Sequence, residues 1–230
     1  MGTRLQDLRC FYLLLDELEG RIGGKRLLEN CTGRLDWPRR GVYFFFENGE
    51  SRAGGSLAPR VVRIGTHALK PGSNTRLWSR LAQHRGSVRQ GSGHHRSSIF
   101  RLIVGNSLIH RDDLLCESWG DQSATREIRK AEREIEMKVS ATIGKMPFLW
   151  VDVDDDTGPE SDRGVIERGS IALVSNWSKD PIDAPSSSWL GHFSCRERVR
   201  RSGLWNNNHV DESYTPGFLD VLERHVRRTG

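Results

Sequence analysis

Gly41-Val42-Tyr43-Phe44-Phe45-Phe46-Glu47, followed by Arg60-Val61-Val62-Arg63-Ile64-Gly65, decides the fold. Val42 to Glu47 is a run of aromatic and β-branched residues, the composition of a strand, and Arg60 to Ile64 repeats that character. Between them Asn48 to Pro59 carries Gly49, Gly54, Gly55 and Pro59, so the two strands form a hairpin with a long tip. Downstream, Gly65 to Asn74 is a polar loop. Thr75 to His84 places Leu77, Trp78 and Leu81 at helical spacing, with Thr75 available to cap the start. Upstream, Leu5, Leu8, Phe11, Tyr12, Leu15 and Leu18 form a helical stripe that Gly20 ends, and Trp37-Pro38 breaks the chain before the first strand.

The rest of the chain adds elements around this hairpin. Arg85 to Ser98 is a basic loop rich in Gly, Ser and His, and Ile99 to Val104 fits either a short strand or the start of a helix. Thr125 to Val139 carries Ile128, Ala131, Ile135 and Val139 on one helical face, and Phe148 to Val153 is a third strand. Gly164 to Ser175 begins as a helix, Asn176 to Asn208 is polar and turn-rich, and Thr215-Pro216 opens a last helix to Arg228. The expected fold is therefore α/β (α+β): a small antiparallel three-stranded sheet flanked by helices, with helical additions at both ends. Residues 1–37 form the first addition, 38–176 the core with an insertion at about 102–145, and 177–230 a loop and helix extension.

Composition excludes several classes. Apolar residues make up 36% of the 230, enough for a core, and charged residues 28% with a net charge of only +5, so the chain is not of the disordered kind. Most of the positive charge is arginine, whose planar fork suits phosphate, and nucleic acid leads the expected partners. Cys10, Cys31, Cys116 and Cys195 are scattered without a C-x-x-C pair, which argues against a zinc site or a disulfide scaffold and for a reducing, cytoplasmic interior. No apolar run approaches the ~18 residues of a membrane span. Asp152, Asp154, Asp155 and Asp156 do not make a calcium loop, because Thr157 stands where Gly is required and Arg163 where the final Glu belongs. The G-x-G-x-x-G, P-loop, H-E-x-x-H and G-x-S-x-G patterns are absent.

The order of strand, loop, strand, arginine helix, later strand and glutamate helix resembles the GIY-YIG nucleases, over roughly residues 38 to 176. Gly41-Val42-Tyr43 is similar to the first half of the name motif and Arg63-Ile64-Gly65 to the second. Thr75-Arg76-Leu77-Trp78-Ser79-Arg80-Leu81 resembles the following helix, which places the family's catalytic arginine at Arg80 and a functional histidine at His84. Phe148-Leu149-Trp150-Val151 resembles the third strand, and Ile166-Glu167 the helix that carries the metal-binding glutamate. The resemblance implies Tyr43, Arg63, Arg80, His84 and Glu167 as catalytic residues. It implies Glu167 as the ligand of Mg²⁺ (or Mn²⁺), and Arg76, His94, His95, Arg96, Ser97 and Asn176 as DNA contacts. Two departures stand out: Arg63 occupies the second motif tyrosine, and the loop after Gly65 is longer than in compact members. For the family's asparagine, Asn176 is the nearest candidate and Asn206 the alternative.

These residue types suit phosphodiester hydrolysis. Positive charge must meet the charge that develops on the phosphoryl oxygens, which Arg80 supplies from a helix. The leaving oxygen needs a Lewis acid or a proton, and Mg²⁺ is a hard ion that one carboxylate, waters and substrate oxygens can hold. The attacking water needs a base. Tyr43 is the family's candidate, and since a free phenol titrates near ~10, neighbouring Arg63, His84 or the metal must favour its phenolate. The expectation is a metal-dependent DNA endonuclease of restriction or defence type, with DNA repair as the alternative setting and a homodimer among the expected assemblies. Against it stand a binding-only relative, which Arg63 in the tyrosine position favours, and a scaffold for partner proteins. Without the motif, each residue also has a structural role available: core packing for Tyr43, a solvated helix face for Arg80 and Glu167, a helix-end charge for His84.

Overall fold

The computed structural model describes residues 3–53, 58–87 and 89–230. The hairpin-tip glycines Gly54 and Gly55 lie outside the described residues. Four strands build one antiparallel sheet in the order β1-β4-β2-β3: β1 (Arg26–Leu27), β2 (Gly41–Ser51), β3 (Pro59–Gly65) and β4 (Pro147–Asp152). The expected three strands thus become four. β1 is only two residues long, too short to show any alternation in sequence, and it exists because Arg26 and Leu27 pair with Phe148 and Pro147.

Both faces of the sheet are covered over Gly41 to Phe46, which is why this part of β2 reads as an unbroken apolar run rather than an alternating one. Val42, Phe44, Phe46, Leu149 and Val151 face α1 (Arg4–Arg21), α6 (Asp162–Val174) and α8 (Phe218–Val226). Tyr43, Phe45, Phe148 and Trp150 face α2 (Leu77–Arg85), α3 (Ile99–Arg111) and α5 (Arg133–Gly144), joined by Trp189 and Trp205 from the C-terminal region. A β-bulge between Phe45 and Phe46 lets Val62 turn to this second side beside Arg63, which pairs with Phe45.

Helix boundaries follow local chemistry. α1 starts with a capping box in which Thr3 and Gln6 satisfy each other's backbone N–H groups. The ambiguous segment after Ser98 is helix α3, because the Ser98 hydroxyl caps it by accepting from the Arg101 amide at 3.2 Å. The expected Thr75 cap is not formed: α2 begins at Leu77 after Arg76, and the Leu77 amide donates instead to the Arg39 carbonyl at 3.0 Å. A tertiary acceptor has replaced the local one. The helical region after Thr125 bends at Glu132 into α4 (Arg126–Ala131) and α5, and the last helix starts at Phe218, two residues after Pro216.

The polar segment after α6 includes α7 (Glu197–Ser202) and closes the free edge of β3. The Trp205 amide donates to the Val62 carbonyl at 2.7 Å, and the Asn206 side chain serves both the amide and the carbonyl of Ile64, at 3.1 and 2.9 Å. Trp189 and Trp205 both donate their indole N–H to Glu47, and Arg60 bridges Glu50 and the Gly203 carbonyl. An edge strand that would expose unpaired backbone is thereby capped by the chain itself.

The insertion is tied to the sheet layer by charge as well as by apolar packing. Arg101 is fully buried and pairs with Glu136, which also accepts from the amide and ring of His95, at 2.5 and 2.9 Å. Breaking a buried pair leaves an uncompensated charge, at a cost of about 3–5 kcal/mol. Glu136→Ala is expected to lower the unfolding free energy in urea by that amount, whereas an effect under about 1 kcal/mol would show that water reaches Arg101.

Candidate active site

The register of the hairpin creates the site. Tyr43 pairs with Gly65, so its ring lies across a residue without a side chain. A Cβ at Gly65 would collide with the Tyr43 hydroxyl, and one at Gly41 would collide with the Val151 carbonyl. Both motif glycines are therefore demanded by close approach. The next residue ties the two halves of the motif together: Thr66 donates its hydroxyl to the Gly41 carbonyl at 2.7 Å and its amide to Glu167 at 3.1 Å. In this way α6 delivers Glu167 to the residue adjoining the one that Tyr43 covers.

The Tyr43 hydroxyl lies 2.8 Å from His84 Nε2, and His84 Nδ1 lies 2.7 Å from the Ser98 hydroxyl. All three side chains are buried. Ser98 already accepts the Arg101 amide, so its own proton needs an acceptor, and among the described residues only His84 Nδ1 is in reach. Among the described residues the Tyr43 hydroxyl likewise meets only His84, so the imidazole donates to one hydroxyl and accepts from the other, and with its proton on Nε2 it donates to Tyr43 and accepts from Ser98. Burial, followed by the fields of Arg80, Arg63 and Arg101, pushes the imidazole well below its ordinary value, so the ring stays neutral.

The arginines differ in kind. Four are buried, and three of them have a carboxylate: Arg60 with Glu50, Arg101 with Glu136, Arg163 with Asp155. Arg63 has none within ion-pair distance among the described residues. One of its nitrogens donates to the Trp205 carbonyl at 2.8 Å, its guanidinium lies 5.5 Å from the centre of the Phe100 ring, and its Nε has no partner. Arg80 is half-buried and held, among the described residues, by Gln83 and the Ser97 carbonyl, at 3.0 and 3.3 Å. Burial pushes the half-buried Glu167 carboxyl up from its ordinary range, and Arg63, His209, the Thr66 amide and Arg80 oppose that rise. Arg63 and Arg80 thus act electrostatically on both His84 and Glu167, and the five residues expected to be catalytic belong to one neighbourhood.

A divalent cation fits this donor set in a limited way. Among the described residues no group of three or more His, Cys, Asp or Glu side chains could hold a metal ion. One oxygen of Glu167 is fixed by the Thr66 amide and the other has no hydrogen-bond partner among the described residues, which suits an ion that retains most of its waters. The acidic turn has a different employment: Asp155 takes the side chain and the amide of Arg163, anchoring the first turn of α6.

The expected DNA contacts separate into two groups. Arg76 and Ser97 are exposed, and His94 is half-buried with Nδ1 unpartnered. His95 is buried against Glu136, and Arg96 is engaged by Glu132 through both terminal nitrogens. Asn176 is also occupied, by Arg4, the Ile182 amide and the Asp183 carbonyl, so of the two asparagines it is Asn206 that adjoins Arg63 and Gly65. Thr66, His67 and Ser98 are not among the residues to which the sequence assigns a role. Thr66 and Ser98 each directly adjoin a quoted motif residue, and that adjacency was the available signal.

His67 has the site's clearest titration signature. Its Nδ1 meets the Thr75 carbonyl at 2.9 Å, so Nδ1 carries the proton, and Nε2 is buried without a partner. Burial, then the field of Arg163, pushes it from 6.5 down to about 4. The unfolded chain therefore takes up this proton near 6.5 and the folded chain only near 4, so stability is full above that window and falls as pH drops through it. His67→Gln is expected to flatten this acid arm in unfolding curves measured from pH 7 to 4, and an arm as steep as in the wild type would refute the assignment to His67.

A family model described as the GIY-YIG domain matches residues 2–230. No curated protein matches the chain, and no solved structure does.

Proposed function

The chain belongs to the GIY-YIG family of nucleases, and on that premise we propose that it hydrolyses phosphodiester bonds of DNA with a divalent metal ion, Mg²⁺ or Mn²⁺, at Glu167. One observation carries the reading. Arg63 is the buried arginine with no carboxylate in ion-pair distance among the described residues, and its charge acts on both His84 and Glu167. A buried cation without a counter-ion is costly, and a phosphodiester anion supplies the missing charge.

Each residue then has a part. Arg80 and Arg63 meet the charge that grows on the non-bridging oxygens as water adds to phosphorus and the bond to the 3′-oxygen breaks. Tyr43, as phenolate, takes the proton of the attacking water. The Nε2–H of His84 is the donor that steadies that oxygen, and Ser98 keeps the imidazole in the required tautomer. Glu167 would hold the metal ion, which supplies Lewis acidity toward the leaving oxygen. Arg63 in the place of a motif tyrosine keeps a hydrogen-bond donor at that position and adds a charge.

A binding-only relative is favoured by one observation, the complete burial of Tyr43. Nicking of supercoiled plasmid in Mg²⁺ separates the two readings. The wild type is expected to nick, and Tyr43→Phe and Glu167→Ala each to slow the reaction at least about 100-fold with DNA affinity nearly unchanged. A wild-type protein that binds DNA and never cleaves it in Mg²⁺ or Mn²⁺ would sink the hydrolase reading.

Arg80 gives an independent check. A group that meets transition-state charge affects turnover more than ground-state binding, and lysine lacks the planar fork. Arg80→Lys should lower kcat by a larger factor than it raises KM. The reverse pattern would place Arg80 in substrate binding alone.

A further inference from the structure

Beside the candidate active site lies a groove of about 760 Å³ between the end of α2, the Gly/Ser/His loop and α4–α5. Its outer wall carries Arg126, Arg129, Lys130 and Arg133. These sit at i, i+3, i+4 and i+7, and Glu132 keeps helical backbone angles across the bend, so the four form one stripe. All four are exposed, and none has an ion pair or hydrogen bond through its side chain among the described residues.

The groove's carboxylates are already committed. Glu132 is taken by Arg96 and Ser118, and Glu136 by Arg101 and His95. The opposite wall adds His94, whose Nδ1 is buried and unpartnered and whose ring feels the charge of Arg129. The result is a concave surface whose carboxylates are paired internally and whose four exposed cations on α4 and α5 have no such partner among the described residues. The path to the reacting centre is short: Gln83 lines this groove and also the neighbouring cavity that holds Arg80 and Thr66, and it accepts a hydrogen bond from Arg80.

We propose that this groove binds the sugar-phosphate backbone of DNA flanking the scissile bond, with the Arg126, Arg129, Lys130 and Arg133 side chains on successive phosphates. The inference rests on the nuclease reading for its ligand and extends it by naming the surface that holds the substrate. A stripe of four cations over two helical turns meets a polyanion with regular charge spacing, and contacts of this kind position the strand without reading its sequence.

The test is the salt dependence of binding, with EDTA present to prevent cleavage. Binding of a fluorescent 30-base-pair duplex is followed by anisotropy over a range of NaCl, for the wild type and for Arg126→Gln/Arg129→Gln/Lys130→Gln/Arg133→Gln. Each lost phosphate contact reduces the slope of log K against log salt by about 0.9, so the quadruple variant should be shallower by about 3.6 and bind at least about tenfold more weakly at 100 mM salt. Arg227→Gln/Arg228→Gln, which removes two charges remote from the groove, should leave the slope unchanged. Should the quadruple variant fail to fold, Arg129→Gln alone is expected to lose about 0.9 of slope. A slope unchanged in the groove variants, or changed equally in the control, overturns the proposal. Cleavage by the wild type is measured separately in Mg²⁺. Cleavage with an unchanged slope defeats the groove alone, binding without cleavage but with the expected loss of slope supports the groove and defeats only the hydrolase, and absence of DNA binding defeats both.

Discussion

The pairing of Tyr43 with Gly65 is the constraint from which the site follows. A phenol can lie across its partner strand only where that strand has no side chain, and only one register offers this. A slip of one residue would turn Tyr43 toward the α1–α6–α8 layer and Phe44 toward the imidazole. With the register fixed, Thr66 stands at the end of β3, where it clips the Gly41 carbonyl and receives Glu167. The last turn of α2 and the cap of α3 then need only bring His84 and Ser98 to the phenol. Two glycines and a register thus place groups from four separate regions of the chain.

Charge compensation divides the molecule into supporting and working parts. Arg60, Arg101 and Arg163 each hold elements together through a carboxylate: the hairpin to the C-terminal segment, α3 to α5, the acidic turn to α6. Each of these pairs is satisfied, the first within the hairpin, the last within one turn and its helix, and only Arg101–Glu136 between elements distant in sequence. Arg63, Arg80 and the stripe on α4 and α5 have no such carboxylate among the described residues, and Gln83 lines both the groove of the stripe and the cavity that holds Arg80. The economy is physical: a charge already neutralised inside the fold cannot attract an external phosphate.

Much of this was legible in the sequence, for definable reasons. The β2 and β3 strands announce themselves by composition, the α1 helix by periodicity, and the order of motif fragments identifies Tyr43, Arg80, His84 and Glu167 as a set. What could not be read depended on contacts across the chain. β1 exists only through its pairing with β4. Helix α2 dispenses with Thr75 because the Arg39 carbonyl takes the Leu77 amide. His95 and Arg96 look like loop cations until Glu136 and Glu132 meet them from the insertion. The choice between Asn176 and Asn206 likewise lies in which strand edge a polar, turn-rich segment comes to cover. No local pattern encodes that.

The segment that closes the β3 edge has a consequence for how the protein is made. Arg63 is held by the carbonyl of Trp205, and Ile64 by the side chain of Asn206, partners that lie 142 residues further along the chain. On the ribosome, the hairpin with its tyrosine and arginine emerges long before these groups are synthesised. During that interval β3 is an open edge and the guanidinium is unmoored. The contacts that fix Arg63 and Ile64 can therefore form only after the segment carrying Trp205 and Asn206 has been made, and a nascent chain that stops short of it carries the motif without this edge closure.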